Sequence, residues 1–165
     1  IFTVACQIAR QAAANPPLAD AAVIELLRRA TVDSTDRLSP EDDATLREAA
    51  KRATPEQADL MAKWLSERMQ HATAKGELIP SSPRLNSGFS AECPPSTAVL
   101  LKSLMTIQQC LDAVGPSSNF GRAVAHVCSK QIGAATTYNI VDPEFGEKPA
   151  AVVRKRAGEV LLAMK

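Results

Sequence analysis

The sequence is poor in the residue types that carry most enzyme and cofactor chemistry. It has two histidines and four cysteines, and Cys6, Cys93, Cys110 and Cys128 show neither the pairing of zinc ligands nor the dense spacing of a disulfide framework. The seven glycines stand singly, so the chain lacks a glycine-rich loop of the kind that cradles phosphates. We therefore expect reduced thiols and no cofactor.

The remaining polar residues do not form a catalytic pattern. His126 lies two positions from Cys128 in a predicted helix, where residues two apart point to different faces. The acidic run from Glu41 to Asp43 could imitate a metal site, but it falls in a first helical turn, where the helix dipole already favours acids. These patterns predict neither an enzyme nor a metal-binding protein.

The chain also lacks a large excess of charge or a long apolar run. It has 19 Lys and Arg against 18 Asp and Glu, and Trp64 and Tyr138 do not lie among basic residues as in a nucleic-acid platform. No apolar run approaches the roughly 18 residues of a membrane span. The balanced charge and the placement of the aromatic residues predict no nucleic-acid partner. Because the chain begins at Ile1, we expect residues 1–165 to be one domain of a longer protein. We expect this domain to be monomeric.

The eleven prolines reveal a helical plan, because each falls at the edge of a stretch with helical apolar spacing. The first three predicted helices are "LADAAVIELLRRA", "SPEDDATLREAAKRA" and "TPEQADLMAKWLSERMQ". Ser39 is the expected cap of the second, and Thr54 with Gln57 forms a capping box for the third. In the third helix the apolar face is predicted to include Leu60, Met61, Trp64 and Leu65.

Three further helices are predicted in the second half. "STAVLLKSLMTIQQCLDAVG" is the most apolar and is expected to be central; "NFGRAVAHVCSKQIGAATT" follows with Ser117 or Ser118 as its cap, and Pro149 begins the last. Between about 72 and 95 the sequence is rich in Pro, Ser and Gly, which predicts a long insertion loop. No alternating strand pattern is present, so the predicted class is all-α with six or seven helices.

Several cations lie near the ends of these helices, where the dipole favours them. If consecutive helices end on one side of an α-solenoid, the cations could together form a positive edge for an acidic partner or a lipid headgroup. The cations in question are Arg28, Arg29, Lys51, Arg52, Arg68, Lys102, Arg154, Lys155 and Arg156.

The order of the motifs resembles a known family. "LLRRATVDSTDRLSPEDDATLREAAKRA", "DLMAKWLSERM", "LLKSLMTIQQCLDAVG" and "VVRKRAGEVLLAM" after "DPEFG" are together similar to the epsin N-terminal homology (ENTH) domain of the ENTH, ANTH and VHS group. The similarity runs from about Leu18 to Met164, and within the family it is greatest to the tepsin branch, with the epsins as the other possibility. It implies a right-handed superhelical stack in which the last helix closes the solenoid.

The resemblance also implies a role in membrane trafficking. Domains of this family act in vesicle coats of the clathrin and adaptor pathway, at the plasma membrane, the trans-Golgi or endosomes, and bind coat proteins, SNARE proteins or phosphoinositides. Their headgroup cations match Arg28 in "RRAT", Arg68 in "SERM" and Lys102 in "LLKS". Cytoplasmic proteins peripheral to these membranes are therefore the expected class.

The sequence departs from the family at two headgroup positions. Asp33 stands where the family has an asparagine and Leu100 where it has a histidine, and an acid near phosphates repels them. The N-terminal stretch "IFTVACQIARQAAANPP" has one cation, Arg10, whereas interfacial helices are rich in cations. We therefore expect weak anionic-lipid contact, tight binding only to protein partners, and a solvated face for Arg154, Lys155 and Arg156.

Two alternatives remain open at this point. One is a related nuclear superhelix that binds phosphorylated polymerase tails, for which Tyr138 and Arg122 are the available groove residues. The other is a purely structural solenoid fragment of a larger assembly.

Overall fold

The computed structural model describes residues 16–28, 30–31, 40–73, 95–141 and 146–165. Within these ranges the chain forms seven helices, and the predicted all-α class is confirmed. The helices are α1 Pro16–Arg28, α2 Pro40–Arg52, α3 Pro55–Thr73, α4 Pro95–Val114, α5 Asn119–Val127, α6 Ser129–Ala135 and α7 Lys148–Ala163. None of them is both long and apolar enough to cross a membrane.

Two long helices, α3 and α4, lie at the centre of the stack. Helix α3 packs on α1, α4, α5 and α6, and α4 packs on α2, α3, α5 and α7. The outer helices contact their neighbours in sequence, α1 on α2 and α6 on α7, as expected of an α-solenoid. The prediction that α4 is central is confirmed, and α3 shares that position.

The core is built from the apolar stripes of these helices. In α4 the spacing of three and four residues places Val99, Leu100, Leu104 and Ile107 on one face, and all four are fully buried. The other largest fully buried side chains are Leu26, Leu27, Met61, Leu65, Met69, Phe120, Val124 and Ile132. One apolar cluster therefore joins all seven helices.

The predicted helix signals at two corners are confirmed. The Thr54 amide donates to Gln57 Oε1 at 3.1 Å and the Gln57 amide donates to Thr54 Oγ1 at 3.2 Å, which is a reciprocal capping box. Ser118, rather than Ser117, caps α5 by accepting from the Gly121 amide at 3.0 Å. Gly115 ends α4 with φ of 80°, a conformation that favours glycine.

The prediction of a single helix from residue 119 to 137 was wrong in one respect. The structure has two helices there, α5 and α6, which are divided at Cys128. The backbone at Cys128 (φ −99°, ψ −10°) departs from helical geometry, and its thiol donates to the Ala62 carbonyl of α3 at 3.2 Å. The Cys128 amide donates to the Val124 carbonyl at the end of α5, and the Cys128 carbonyl accepts from the Ile132 amide at the start of α6. Cys128 is therefore the cap residue of both helices.

The apolar face predicted for α3 also requires a correction. Leu60 is 41% exposed, because the buried face is centred on Ala58, Ala62, Leu65 and Met69 and Leu60 lies about 170° from that centre. The last helix begins at Lys148, with Pro149 at its second position rather than its first.

Some sequence predictions fall on residues that the structure does not describe. They include the cap at Ser39, Asp33, the N-terminal stretch with Arg10, and the side chain of Arg29. The predicted insertion at about 72–95 lies mostly there too, since α3 ends at Thr73 and the next described residue is Pro95.

Candidate functional site

Arg28, the last residue of α1, forms a two-pronged ion pair with Glu25. Its Nε and Nη2 atoms donate to the two carboxylate oxygens at 2.9 and 2.7 Å. Residues three apart share a helix face, so the pair is set by the sequence of α1 itself. The hydrogen bond from Glu25, opposed by partial burial, raises the pKa of Arg28. The positive charge of Arg28 is therefore already largely compensated.

Arg68 on α3 lies over the ring of Trp64, one helical turn earlier. The guanidinium carbon is 4.8 Å from the ring centroid, which is a cation–π geometry. The pKa of Arg68 is lowered, mainly because the side chain is partly buried. The negative charge of Glu67 opposes this shift, and the positive charge of Arg28 adds to it. Trp64 was predicted to lie in the core, and it is half-buried at the edge of the core beneath Arg68.

The packing of α1 on α3 brings Arg28 and Arg68 close enough for their charges to repel. Two neighbouring guanidiniums can hold one anion between them. Two carboxylates, Glu25 and Glu67, act on the same pair, so the local charge is nearly balanced. We call these four residues the Arg28–Arg68 cluster. The sequence analysis identified its two cations and missed its two acids. The acids could have been found by their spacing, since Glu25 lies three residues before Arg28 and Glu67 directly precedes Arg68.

The third predicted headgroup cation lies on a different helix from Arg28 and Arg68. Lys102 is half-buried on α4, which packs on α2 and α3, and it makes its own interactions within the protein. Leu100, at the family's histidine position, is fully buried in the core. That position therefore offers no side chain to a ligand.

The sequence predicted one solvated face for the three consecutive cations of α7. That prediction was wrong, because two of the three are bound within the protein. Arg154 donates to the Tyr138 carbonyl at 2.8 Å and to Glu147 at 3.0 Å, which ties the segment before α7 to that helix. Arg156 donates to Gln108 of α4 at 3.2 Å and pairs with Glu159 at 3.0 Å. Successive helical residues diverge by about 100°, and only Lys155 is left exposed.

The aromatic residue named for a phosphopeptide groove is not available for binding. Tyr138 is 5% exposed, and its hydroxyl shares a 2.6 Å hydrogen bond with the buried Thr97 hydroxyl. Arg122 is on the surface of α5, where it donates to Asn119 at 2.9 Å. Tyr138 therefore offers no exposed ring to the polymerase-tail alternative, for which these two residues were the available candidates.

The two cysteines that the structure describes, Cys110 and Cys128, are both buried in the core. Burial raises the pKa of both Cys110 and Cys128 to about 12, which keeps these thiols protonated and unreactive at neutral pH. Among the residues described, no three His, Cys, Asp or Glu side chains are grouped as metal ligands would be.

Comparison with solved structures identifies the fold. The chain superposes on the NMR structure of a hypothetical ENTH-VHS domain from Arabidopsis thaliana with a TM-score of 0.63 and 14% identity, covering 88% of this chain and 86% of that one. The chain has the ENTH-VHS fold. A second, automatically determined NMR structure of an Arabidopsis ENTH-VHS domain gives a TM-score of 0.60 and 15% identity over 86% and 84% of the two chains.

The similarity to ENTH-VHS structures has no counterpart in comparisons of sequence. No family model matches the chain, and no curated protein matches it by sequence. At 14% identity the similarity establishes the fold alone. The ENTH resemblance carried by the motif order is thereby confirmed as an ENTH-VHS fold.

Proposed function

We propose that this chain is a non-catalytic adaptor or accessory domain of vesicle coats in the clathrin and adaptor pathway. It binds coat or SNARE proteins on the cytoplasmic side of trans-Golgi, endosomal or plasma membranes, with weak attraction to anionic lipid. The observation that carries the proposal is the ENTH-VHS fold over 88% of the chain, in the motif order of the ENTH family.

The balance of charges in the Arg28–Arg68 cluster supports protein binding as the main activity. A phosphoinositide headgroup would have to compete with Glu25 for Arg28, and Leu100 supplies no replacement donor. Each lost charge-assisted hydrogen bond to phosphate removes about 1.5–3 kcal/mol of binding energy. Lipid binding alone is then too weak to recruit the protein to a membrane.

Fluorescence microscopy of the tagged full-length protein tests this function in cells of its source. We expect cytoplasmic puncta that coincide with clathrin or adaptor coats and that persist when both Arg28 and Arg68 are changed to Ala. Accumulation in the nucleus would instead favour the polymerase-tail alternative. Uniform distribution, with an isolated domain that aggregates, would favour a purely structural fragment.

A further inference from the structure

The outer face of α7, the last helix of the stack, carries exposed apolar side chains. Val152 and Leu162 are 47% and 67% exposed, and Leu162 is the most exposed of the large hydrophobic residues that the structure describes. Terminal elements of solenoids usually have a polar outer face, because nothing stacks on them. Helix α7 packs mainly on α4 and α6, which leaves this face uncovered within the described part of the chain.

Two charged residues lie between these apolar ones on the same face. Lys155 is exposed and Glu159 is half-buried. We give the name α7 stripe to the four residues Val152, Lys155, Glu159 and Leu162. At 100° a residue they fall within an arc of about 80° around the helix axis. The middle of that arc lies opposite the fully buried Ala157, so the stripe points away from the core.

The α7 stripe is complementary to itself when it is reversed. Val152 lies five residues before Ala157 and Leu162 five residues after it, and Lys155 and Glu159 lie two residues before and after. In an antiparallel pair of these helices related by a two-fold axis at the level of Ala157, each residue meets the one at equal distance on the other side. Val152 then faces the partner's Leu162, and Lys155 faces the partner's Glu159.

Both charges of the stripe are able to form such a contact. Arg156 pairs with Oε2 of Glu159 at 3.0 Å and also donates to Gln108 on α4. Among the described residues, Oε1 of Glu159 and the ammonium of Lys155 have no hydrogen-bond or ion-pair partner. Each can therefore form an ion pair with a second copy without breaking an existing one.

The surroundings of the stripe add apolar surface and charges of both signs. Met105 on α4 is 41% exposed and lies one turn before Gln108, which is bound to α7. Asp112 is exposed one turn after Gln108, and Lys148 and Lys165 are exposed at the two ends of α7. A surface of mixed sign does not select an acidic membrane or a nucleic acid, and it favours a partner that also carries both signs.

We propose that the α7 stripe is the interface through which two copies of this chain form a two-fold symmetric dimer. The contact is isologous, so its two ion pairs and two apolar contacts are supplied by the same residues of both copies. One helix from each copy covers less than the roughly 800 Å² per partner of a standard interface, so the dissociation constant is on the order of 100 µM. The proposal is independent of the proposed function and replaces the expectation of a monomeric domain.

Sedimentation equilibrium of the purified chain measures the association, and its outcome does not depend on coat localisation in cells. Between about 10 µM and 1 mM we expect the average mass to rise from 17.6 kDa towards twice that value. Lys155→Glu places acids opposite the partner's Glu159, and Glu159→Lys places cations opposite the partner's Lys155. Each reversal should weaken the dimer about tenfold, because two exposed ion pairs become two repulsions.

A mixture of these two variants is the sharpest test of the two-fold register. Each substituted position then faces the opposite charge on the other chain, so the two variants should associate with each other at least as tightly as the parent does with itself. Labelling one variant with a fluorophore follows this association in the same sedimentation experiment.

The apolar part of the contact has its own variant and a matched control. Leu162→Gln should weaken the dimer at least about tenfold, because the leucine is covered in both copies. Leu60→Gln makes the same change at an exposed leucine of α3 and should alter the dissociation constant by less than about twofold. Equal thermal midpoints would verify that all the variants are folded.

Four results would overturn the proposal. One is the mass of a single chain at every concentration, and a second is a mixture of the two charge variants that does not associate. A third is equal weakening of the dimer by Leu60→Gln and Leu162→Gln. The fourth is a monomeric chain that binds phosphatidylserine vesicles and loses this binding with Leu162→Gln, which would assign the face to a membrane.

Discussion

The Arg28–Arg68 cluster and the exposed cations of α5 and α6, Arg122 and Lys130, have different surroundings. In the cluster, Glu25 binds Arg28 through two hydrogen bonds and Glu67 acts on Arg68. Around Arg122 and Lys130 the chain has no Asp or Glu between Asp112 and Asp142. The comparison teaches that neighbouring carboxylates, rather than the number of cations, decide how much positive charge a surface of this fold retains.

Both regions depend on the same core, and its loss is the largest effect we predict. Leu104→Ala or Ile107→Ala removes a fully buried side chain from α4 and should lower the free energy of unfolding by about 2–4 kcal/mol. Met105→Ala on the same helix is the control, because Met105 is 41% exposed, and it should cost less than about 1 kcal/mol. Urea unfolding followed by circular dichroism measures these changes. Equal midpoints for all three variants would show that α4 is not central.

A backbone contact at the start of α5 gives the next largest effect. A Cβ atom at Gly121 would lie 2.5 Å from the carbonyl oxygens of Gly115 and Pro116, so Gly121→Ala should destabilise the domain by about 1–3 kcal/mol. At Gly133 in α6 nothing lies within 4 Å of such an atom, so Gly133→Ala should be neutral or stabilise by up to about 1 kcal/mol. Thermal unfolding distinguishes them, and a stable Gly121→Ala variant would refute the close approach of α5 to this turn.

Removal of one acid from the cluster should leave it with more uncompensated positive charge. Glu25→Gln removes the negative charge that pairs with Arg28 and should increase binding to vesicles containing phosphatidylserine about fivefold, since one cation near such a surface contributes about 1 kcal/mol. Glu56→Gln removes an exposed acid from the first turn of α3 and is the control for net charge. If the two variants gain equally in vesicle co-sedimentation, the pairing with Glu25 does not mask Arg28.

The smallest effect concerns the buried thiols. In the folded state the pKa of Cys110 and Cys128 is raised from 9.0 to about 12, so the folded chain keeps protons that the unfolded chain releases. Stability should thus be unaffected by these groups below pH 9 and fall as the pH rises from 9 towards 12. In a Cys6→Ser, Cys93→Ser background, an aromatic disulfide reagent should label neither thiol at pH 8 until the chain unfolds. Rapid labelling of Cys128 under native conditions would show that α5 and α6 separate from α3.

Local signals in the sequence were sufficient for much of the fold. The capping box of Thr54 and Gln57 needs only four residues, and the three- and four-residue spacing in α4 defines its buried face. The division at Cys128 was not predictable in this way, because it coincides with a hydrogen bond to Ala62, a residue on another helix.

The surface was predicted less completely for the same physical reason. Arg156 donates to Gln108, which is 48 residues away in sequence. Arg154 donates to the backbone carbonyl of Tyr138, which is 16 residues away. The acid-free segment over 113–141 was visible in the sequence, but only the structure shows that Arg122 and Lys130 within it are exposed. Contacts across space, rather than composition, separate occupied cations from available ones.

Co-sedimentation with liposomes that differ only in their phosphoinositide tests the central claim that the headgroup site is neutralised. We predict weak binding without preference among isomers, lost as salt is raised because it depends on screened surface charge. Tight binding to one isomer that is abolished by Arg28→Ala and by Arg68→Ala would contradict this account.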